Sequence, residues 1–142
     1  EGLIRVAPFV MKITPASPAR EPDIQIILKA RADIVGRTMT AGAADIVIEI
    51  VSEESLERDT ETKFAEYQNG GVREYWLFNP LNKTARFYRL ASDGLYKLVE
   101  LPDGIFHSAV LAHFTLNTAL LWQDSLPTGK QIAAMVESML KS

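Results

Sequence analysis

A chain of 142 residues, 47% hydrophobic and 23% charged, is long enough to bury one sizeable core, so a single domain over residues 1–142 is expected. The absence of cysteine excludes disulfides, zinc thiolate centres and thiol nucleophiles. A net charge of −3 gives no global excess of Lys and Arg to attract nucleic acid, so any phosphate partner has to be held locally.

No apolar run reaches the roughly 18 residues a membrane helix needs, and no basic-then-apolar leader opens the chain. A soluble cytoplasmic protein with no membrane partner is therefore expected. The chain begins at Glu1 with "EGLIRV", strand-like at once and without methionine, which raises the expectation of a further segment upstream.

In chain order, residues 3–13 read as one or two extended segments interrupted by Pro8. The stretch "TPASPAREP" that follows is a loop, because three prolines in nine residues deny a helix its hydrogen bonds. Residues 24–28 and 45–51 are near-continuous in β-branched side chains, the pattern of strands covered on both faces. Between them "RADIVGRTMTAGA" reads as a connection with a short turn and breaks at Gly36 and Gly42.

After "VSEES" the period changes. Residues 59–69, "DTETKFAEYQN", carry good helix formers, acidic side chains in the first turns and a Gly70–Gly71 stop. "REYWLFN" (73–79), "TARFYRL" (84–90) and "LYKLVEL" (95–101) then read as three successive antiparallel strands joined by tight turns. Beyond Pro102, "FTLN" reads as a short strand. The terminal "PTGKQIAAMVESMLKS" reads as an amphipathic helix with Ile132, Val136, Met139 and Leu140 on one side. The fold class expected is α/β, in the mixed α+β sense: a central mixed sheet flanked by helices, with an antiparallel hairpin extension.

Carboxylates inside apolar strands point to a site, because an ionised acid there is costly unless a cation compensates it. Side chains alternate along a strand, so Asp45, Val47, Glu49 and Val51 share one face and Ile46, Ile48 and Ile50 the other. Asp23 begins the preceding strand. If the two strands are neighbours, Asp23 and Glu49 can converge at one edge of the sheet as paired oxygen ligands for a hard divalent cation such as Mg²⁺. On the helix, Asp59, Lys63 and Tyr67 share a stripe, and Phe64 beside it can anchor the helix to the sheet. The "SEES" connection is short enough for Lys63 to swing back over the carboxylates. A metal, two acids and a lysine make a phosphodiesterase site.

The order "PDI", "ADIVIEIVSEES", "DTETKFAEY", "GGVREYWLFNP" resembles the second family named Uma, a branch of the PD-(D/E)XK, or restriction-endonuclease-like, superfamily. The resemblance runs from about residue 20 to residue 90. It implies Asp23 as the first metal-binding aspartate, Glu49 as the acid of the (D/E)XK block, and the Ile50 backbone carbonyl as a further metal ligand. Val51 stands where the superfamily's lysine usually sits, and Lys63 matches the position on the next helix to which this family has moved it. Ala44 replaces the proline usual before Asp45. An amino-terminal helical region of the family, which often adds an acid near the site, is not visible in the chain. The implied function is Mg²⁺- or Mn²⁺-dependent hydrolysis of DNA phosphodiester bonds. Asp23, Glu49 and Lys63 would be its catalytic residues and a homodimer its working form, since cutting both strands of a duplex needs two sites.

Each residue also has a structural reading. Asp23 can be a strand-entry residue that caps its loop, and Lys63 a solvated helix lysine paired with Asp59. Tyr67, Tyr75, Trp76 and Phe78 fit a core better than a base-stacking surface. His107 and His113 read as structural or exposed, and Ser52 and Ser55 as caps into the helix. Asp45, about 13 Å from Glu49 at roughly 3.3 Å per residue, has at most an outer-shell role. Alternative functions are a catalytically inactive binding module on a nuclease fold, or an oligomerisation domain using the terminal helix.

Overall fold

The computed structural model describes residues 2–141. Its contacts fall into two compact units, one running through Leu98 and one beginning at Val99. The first unit is built on strands β1 (Gly2–Val6), β3 (Ile24–Leu28), β5 (Ile46–Ile50), β6 (Glu74–Asn79), β7 (Thr84–Leu90) and β8 (Tyr96–Leu98). They form one six-stranded mixed sheet in the order β1-β3-β5-β6-β7-β8. Only β5 and β6 pair in parallel, and the helix-bearing segment between them makes the crossover that a parallel pair needs. A second, two-stranded parallel sheet joins β2 (Val10–Lys12) to β4 (Met39–Ala41).

The expected central strands are therefore present, and they are neighbours: Ile24 pairs with Ile48 and Ile26 with Ile46 in an antiparallel ladder. Residues Ile46 to Glu49 are all buried, as a central strand with two covered faces requires. One face carries Ile27, Val47, Val51, Tyr75 and Leu77 into a core shared with Met11, Val72, Tyr67 and Tyr96. Phe64 anchors the helix there, meeting the rings of Tyr88 and Tyr96 edge-on at 4.9 and 5.2 Å. Tyr75 and Trp76 are buried, in keeping with their reading as core.

The helix differs from its expected form at the amino end. Ser52 and Ser55 bond each other's backbone N–H at the turn, at 3.0 and 3.3 Å. A wide π turn then spans Arg58–Thr62 ahead of the α-helix α1 (Lys63–Gly70). The helix stops where "GG" predicts. Gly71 adopts φ 83°, and the N–H groups of Gly71 and Val72 close on the carbonyls of Gln68 and Tyr67. The segment read as a connection with a short turn holds a 3-10 turn at Lys29–Ile34, and also the three-residue β4, which the pattern missed. β8 is shorter than expected, ending at Leu98.

In the second unit β9 (Ile105–His107) pairs antiparallel with β10 (Thr115–Asn117), followed by a 3-10 turn at Thr118–Trp122 and the helix α2 (Gly129–Lys141). The apolar stripe of α2 is open: Ile132, Val136 and Leu140 are 50%, 47% and 72% exposed. His107 and His113 are exposed.

Candidate active site

The buried polar groups of the first unit concentrate where the helix crosses β5. Glu49 is only 2% exposed, on the core face of its strand. Its Oε1 lies 3.0 Å from the Lys63 ammonium and accepts a hydrogen bond from the Tyr67 hydroxyl at 2.7 Å. Lys63 also reaches Asp59 Oδ1 at 2.8 Å; the distance is that of an ion pair, but the angle is not that of a hydrogen bond, so this buried oxygen stays short of a donor. The lysine is 7% exposed, so the solvated-helix reading does not hold, although its pairing with Asp59 does.

The π turn shapes this arrangement. The Lys63 N–H, which in an α-helix would bond the Asp59 carbonyl, bonds that of Arg58. The Asp59 carbonyl accepts instead from the Tyr75 hydroxyl, at 2.8 Å. A side chain of β6 thus pins the helix at the turn that carries the site's charges. The stripe of Asp59, Lys63 and Tyr67 read from the sequence faces Glu49, and Tyr67 supplies it with a hydroxyl donor. The sequence reading had placed Tyr67 on this stripe but had given its hydroxyl no task.

Two acids share one ammonium in this buried cluster. Burial raises the Glu49 pKa above its ordinary value; the Lys63 charge and the Tyr67 and Lys63 hydrogen bonds oppose the shift, and Asp59 adds to it. Burial, then the adjacent Glu49 charge, pushes the Tyr67 hydroxyl far upward, which makes it a permanent donor.

Asp23 lies one step before β3, where continuing the ladder from Ile24–Ile48 brings it opposite Glu49. Its Oδ2 accepts the Ile50 N–H at 2.6 Å, so the Asp23 carboxylate touches the very peptide that links Glu49 to Ile50. Asp23 is half-buried and Ser52 just past β5 is exposed, so water reaches this end of the strand although Glu49 itself is enclosed. Asp45, at the other end, is fully buried and spoken for. It accepts from Leu28 N at 2.8 Å and from Arg31 at 3.0 Å, and Arg73 lies 3.6 Å away. Those partners give it a structural task remote from Glu49.

Among the described residues no three His, Cys, Asp or Glu side chains cluster as a ready metal cage. The ligands expected from the sequence, Asp23, Glu49 and the Ile50 carbonyl, are all oxygen, which is the chemistry of a hard divalent cation that keeps part of its water shell. The engagement of Glu49 through Oε1, with Oε2 remaining, fits that expectation.

One more pair stands on the next turn of the helix. Arg20 grips Glu66 with two parallel bonds, 2.6 and 2.5 Å, a contact across 46 residues that no sequence spacing announces.

The family model described as "Uma2: Putative restriction endonuclease" matches residues 2–119. The fold is similar to a crystal structure from Anabaena variabilis of a "putative nuclease belonging to DUF820", with a TM-score of 0.63 at 18% identity over 84% of this chain and 66% of that one. The chain thus spans just under two thirds of that nuclease's length. No curated protein matches it.

Proposed function

The chain belongs to the Uma2 family, and on that premise we propose that it is an endonuclease that hydrolyses DNA phosphodiester bonds with Mg²⁺ or Mn²⁺. The observation that carries the reading is the buried Lys63 ammonium 3.0 Å from Glu49 Oε1. A lysine sequestered on an acid, next to a second acid at an open strand end, is an expensive arrangement for stability alone.

Asp23, Glu49 and the Ile50 carbonyl would hold the cation. When bound, it supplies a water of lowered pKa and neutralises phosphate charge. Tyr67 and Lys63 hold Glu49 in place and oppose the upward pull of burial on its pKa. Lys63, set between Glu49 and Asp59, offers its N–H groups to the non-bridging phosphate oxygens as charge builds there. Asp59 acts through Lys63 as a positioning residue. This local cationic group answers the problem posed by a net charge of −3, since phosphate is met at one point and not by a basic surface. Cutting a duplex calls for two sites, so the working form is a homodimer, and a cytoplasmic location belongs to the same reading. No helix among the described residues is long and apolar enough to cross a membrane. The exposed apolar stripe of α2 favours a second reading, a nuclease-fold module that binds a partner without cutting.

Incubating the chain with plasmid DNA and Mg²⁺ or Mn²⁺ tests the reading. The parent should cleave and Glu49→Gln should not. Lys63→Ala should retain metal binding by calorimetry while turnover falls about a hundredfold or more. Parental cleavage by Glu49→Gln sinks the nuclease assignment, and a monomeric mass at micromolar concentration sinks the dimer.

A further inference from the structure

One helical turn beyond Lys63, a cavity of about 260 Å³ opens between α1 and the chain that runs from β2 towards Asp23. Met11, Ile13 and Pro18 give it apolar walls; Arg20, Glu66 and Asn69 give it polar edges. We infer that this cavity receives a single nucleobase turned out of the DNA strand whose phosphate lies at Glu49 and Lys63. The inference rests on the nuclease reading and adds a base-binding subsite to it.

Four observations support it. The volume falls just below the roughly 300 Å³ at which pockets for drug-sized ligands begin, which suits one ring system and not a base pair. The Arg20 guanidinium is fixed in one plane by its two bonds to Glu66, and a fixed guanidinium plane is a surface on which a base stacks. Arg20 and Glu66 neutralise each other, so the cavity favours an uncharged ring over a second phosphate, while the Asn69 amide offers both a donor and an acceptor to a base edge. The cavity also adjoins the reaction centre. Glu66 follows Lys63 by three residues and precedes Tyr67, Arg20 stands three residues before Asp23, and the Glu49 charge acts on Arg20.

Gly70 belongs to the same construction. A Cβ there would lie 2.4 Å from Ile13 Cδ1 and 2.9 Å from its Cγ2, so only glycine leaves the Ile13 wall where it stands. The energy needed to unstack a base, a few kcal/mol, is what stacking on Arg20 and burial against Met11 and Ile13 would offset.

Methyl-resolved NMR of the whole chain separates base from phosphate without relying on cleavage. Adenosine 5′-monophosphate in the millimolar range should shift the Met11 and Ile13 methyl signals. Ribose 5-phosphate at the same concentration should leave them in place. Asn69→Trp, a change at an exposed helix position beside the cavity, should abolish the nucleotide shift and weaken binding of a short single-stranded DNA about tenfold or more. Arg20→Lys, which keeps the charge on Glu66 but loses the plane, should reduce the shift. Equal responses to the two probes, no response to the nucleotide, or an undiminished response in Asn69→Trp overturns the inference. Loss of DNA cleavage with these shifts intact would instead count against the nuclease reading alone.

Discussion

Replacing Lys63 with Met keeps the length of the side chain and removes its ammonium, which leaves Glu49 and Asp59 buried together with no cation between them. Breaking a buried ion pair by removing one partner destabilises by about 3–5 kcal/mol. For a chain of this size that is a fall in Tm of roughly 10–20 °C, at about 4 °C per kcal/mol. The loss should depend on pH in a defined sense. Glu49 already titrates above its ordinary 4.5, because burial outweighs Lys63 and Tyr67, and without the ammonium it titrates higher still. A carboxyl whose folded pKa is raised binds its proton more tightly in the folded state. Stability is then greatest below the unfolded value and is lost as pH rises through the folded value. The variant should therefore fall furthest behind the parent near pH 7.5 and close much of the gap as pH approaches about 4.5. Thermal melts by circular dichroism across that range, in metal-free buffer, measure both. Adding Glu49→Gln to Lys63→Met should recover more than half of the loss, since a single acid then remains. A shift of less than about 2 °C with no pH dependence would match an ordinary solvated lysine and refute the reasoning.

Glu49→Gln alone should unfold no earlier than the parent in metal-free buffer, because Lys63 keeps Asp59 as its partner and the crowding of two acids is relieved; earlier melting would show that the acid is needed for the fold. Tyr67→Phe should lower stability by about 1.5–3 kcal/mol, the worth of a hydrogen bond to a charged group. The Tyr67 hydroxyl holds the Glu49 pKa down, so its removal should move the acid limb of metal-dependent cleavage to higher pH, and an unmoved limb in a pH–rate profile would separate the two groups. Asp45→Ala should cost about 1–3 kcal/mol, chiefly by leaving the Leu28 N–H without its acceptor, since Arg31 and Arg73 are partly exposed, while leaving metal affinity unchanged by calorimetry. Weakened metal binding in that variant would bring Asp45 into the site.

The elements most legible in the sequence were those whose composition and period agree. Ile24–Leu28 and Thr84–Leu90 have the expected bounds, since β-branched or aromatic runs between turn residues leave little choice. β4 and β9 are three residues each, too short for alternation to show, and the partner of β4 lies some 29 positions earlier in the chain (Val10↔Met39). The π turn was hidden for a related reason: a 3.6-residue period fits "DTETKFAEY" about as well as the true wider turn, and the bond from Tyr75 to the Asp59 carbonyl depends on where β6 runs. Glu49 and Lys63 were legible as a pair because the connection between their elements is short. The Arg20–Glu66 contact was not, because nothing local ties a loop residue to a helix 46 positions away. The apolar side of α2 was legible as a stripe, but its exposure was not, because periodicity does not say what packs against a face.

That the lysine of the buried cluster stands on a helix and not on the strand has a thermal consequence. Val51, two residues after Glu49, is 3% exposed and packs in the core. Glu49 belongs to a central strand, while Asp59, Lys63 and Tyr67 ride on a helix whose Glu57, Arg58 and Glu61 face water. Segments with a solvated side open at lower free energy than central strands. On the nuclease reading, undocking of this one helix would dissolve the charge cluster while the ladders of the sheet stay closed, so activity should fade on heating before the sheet melts.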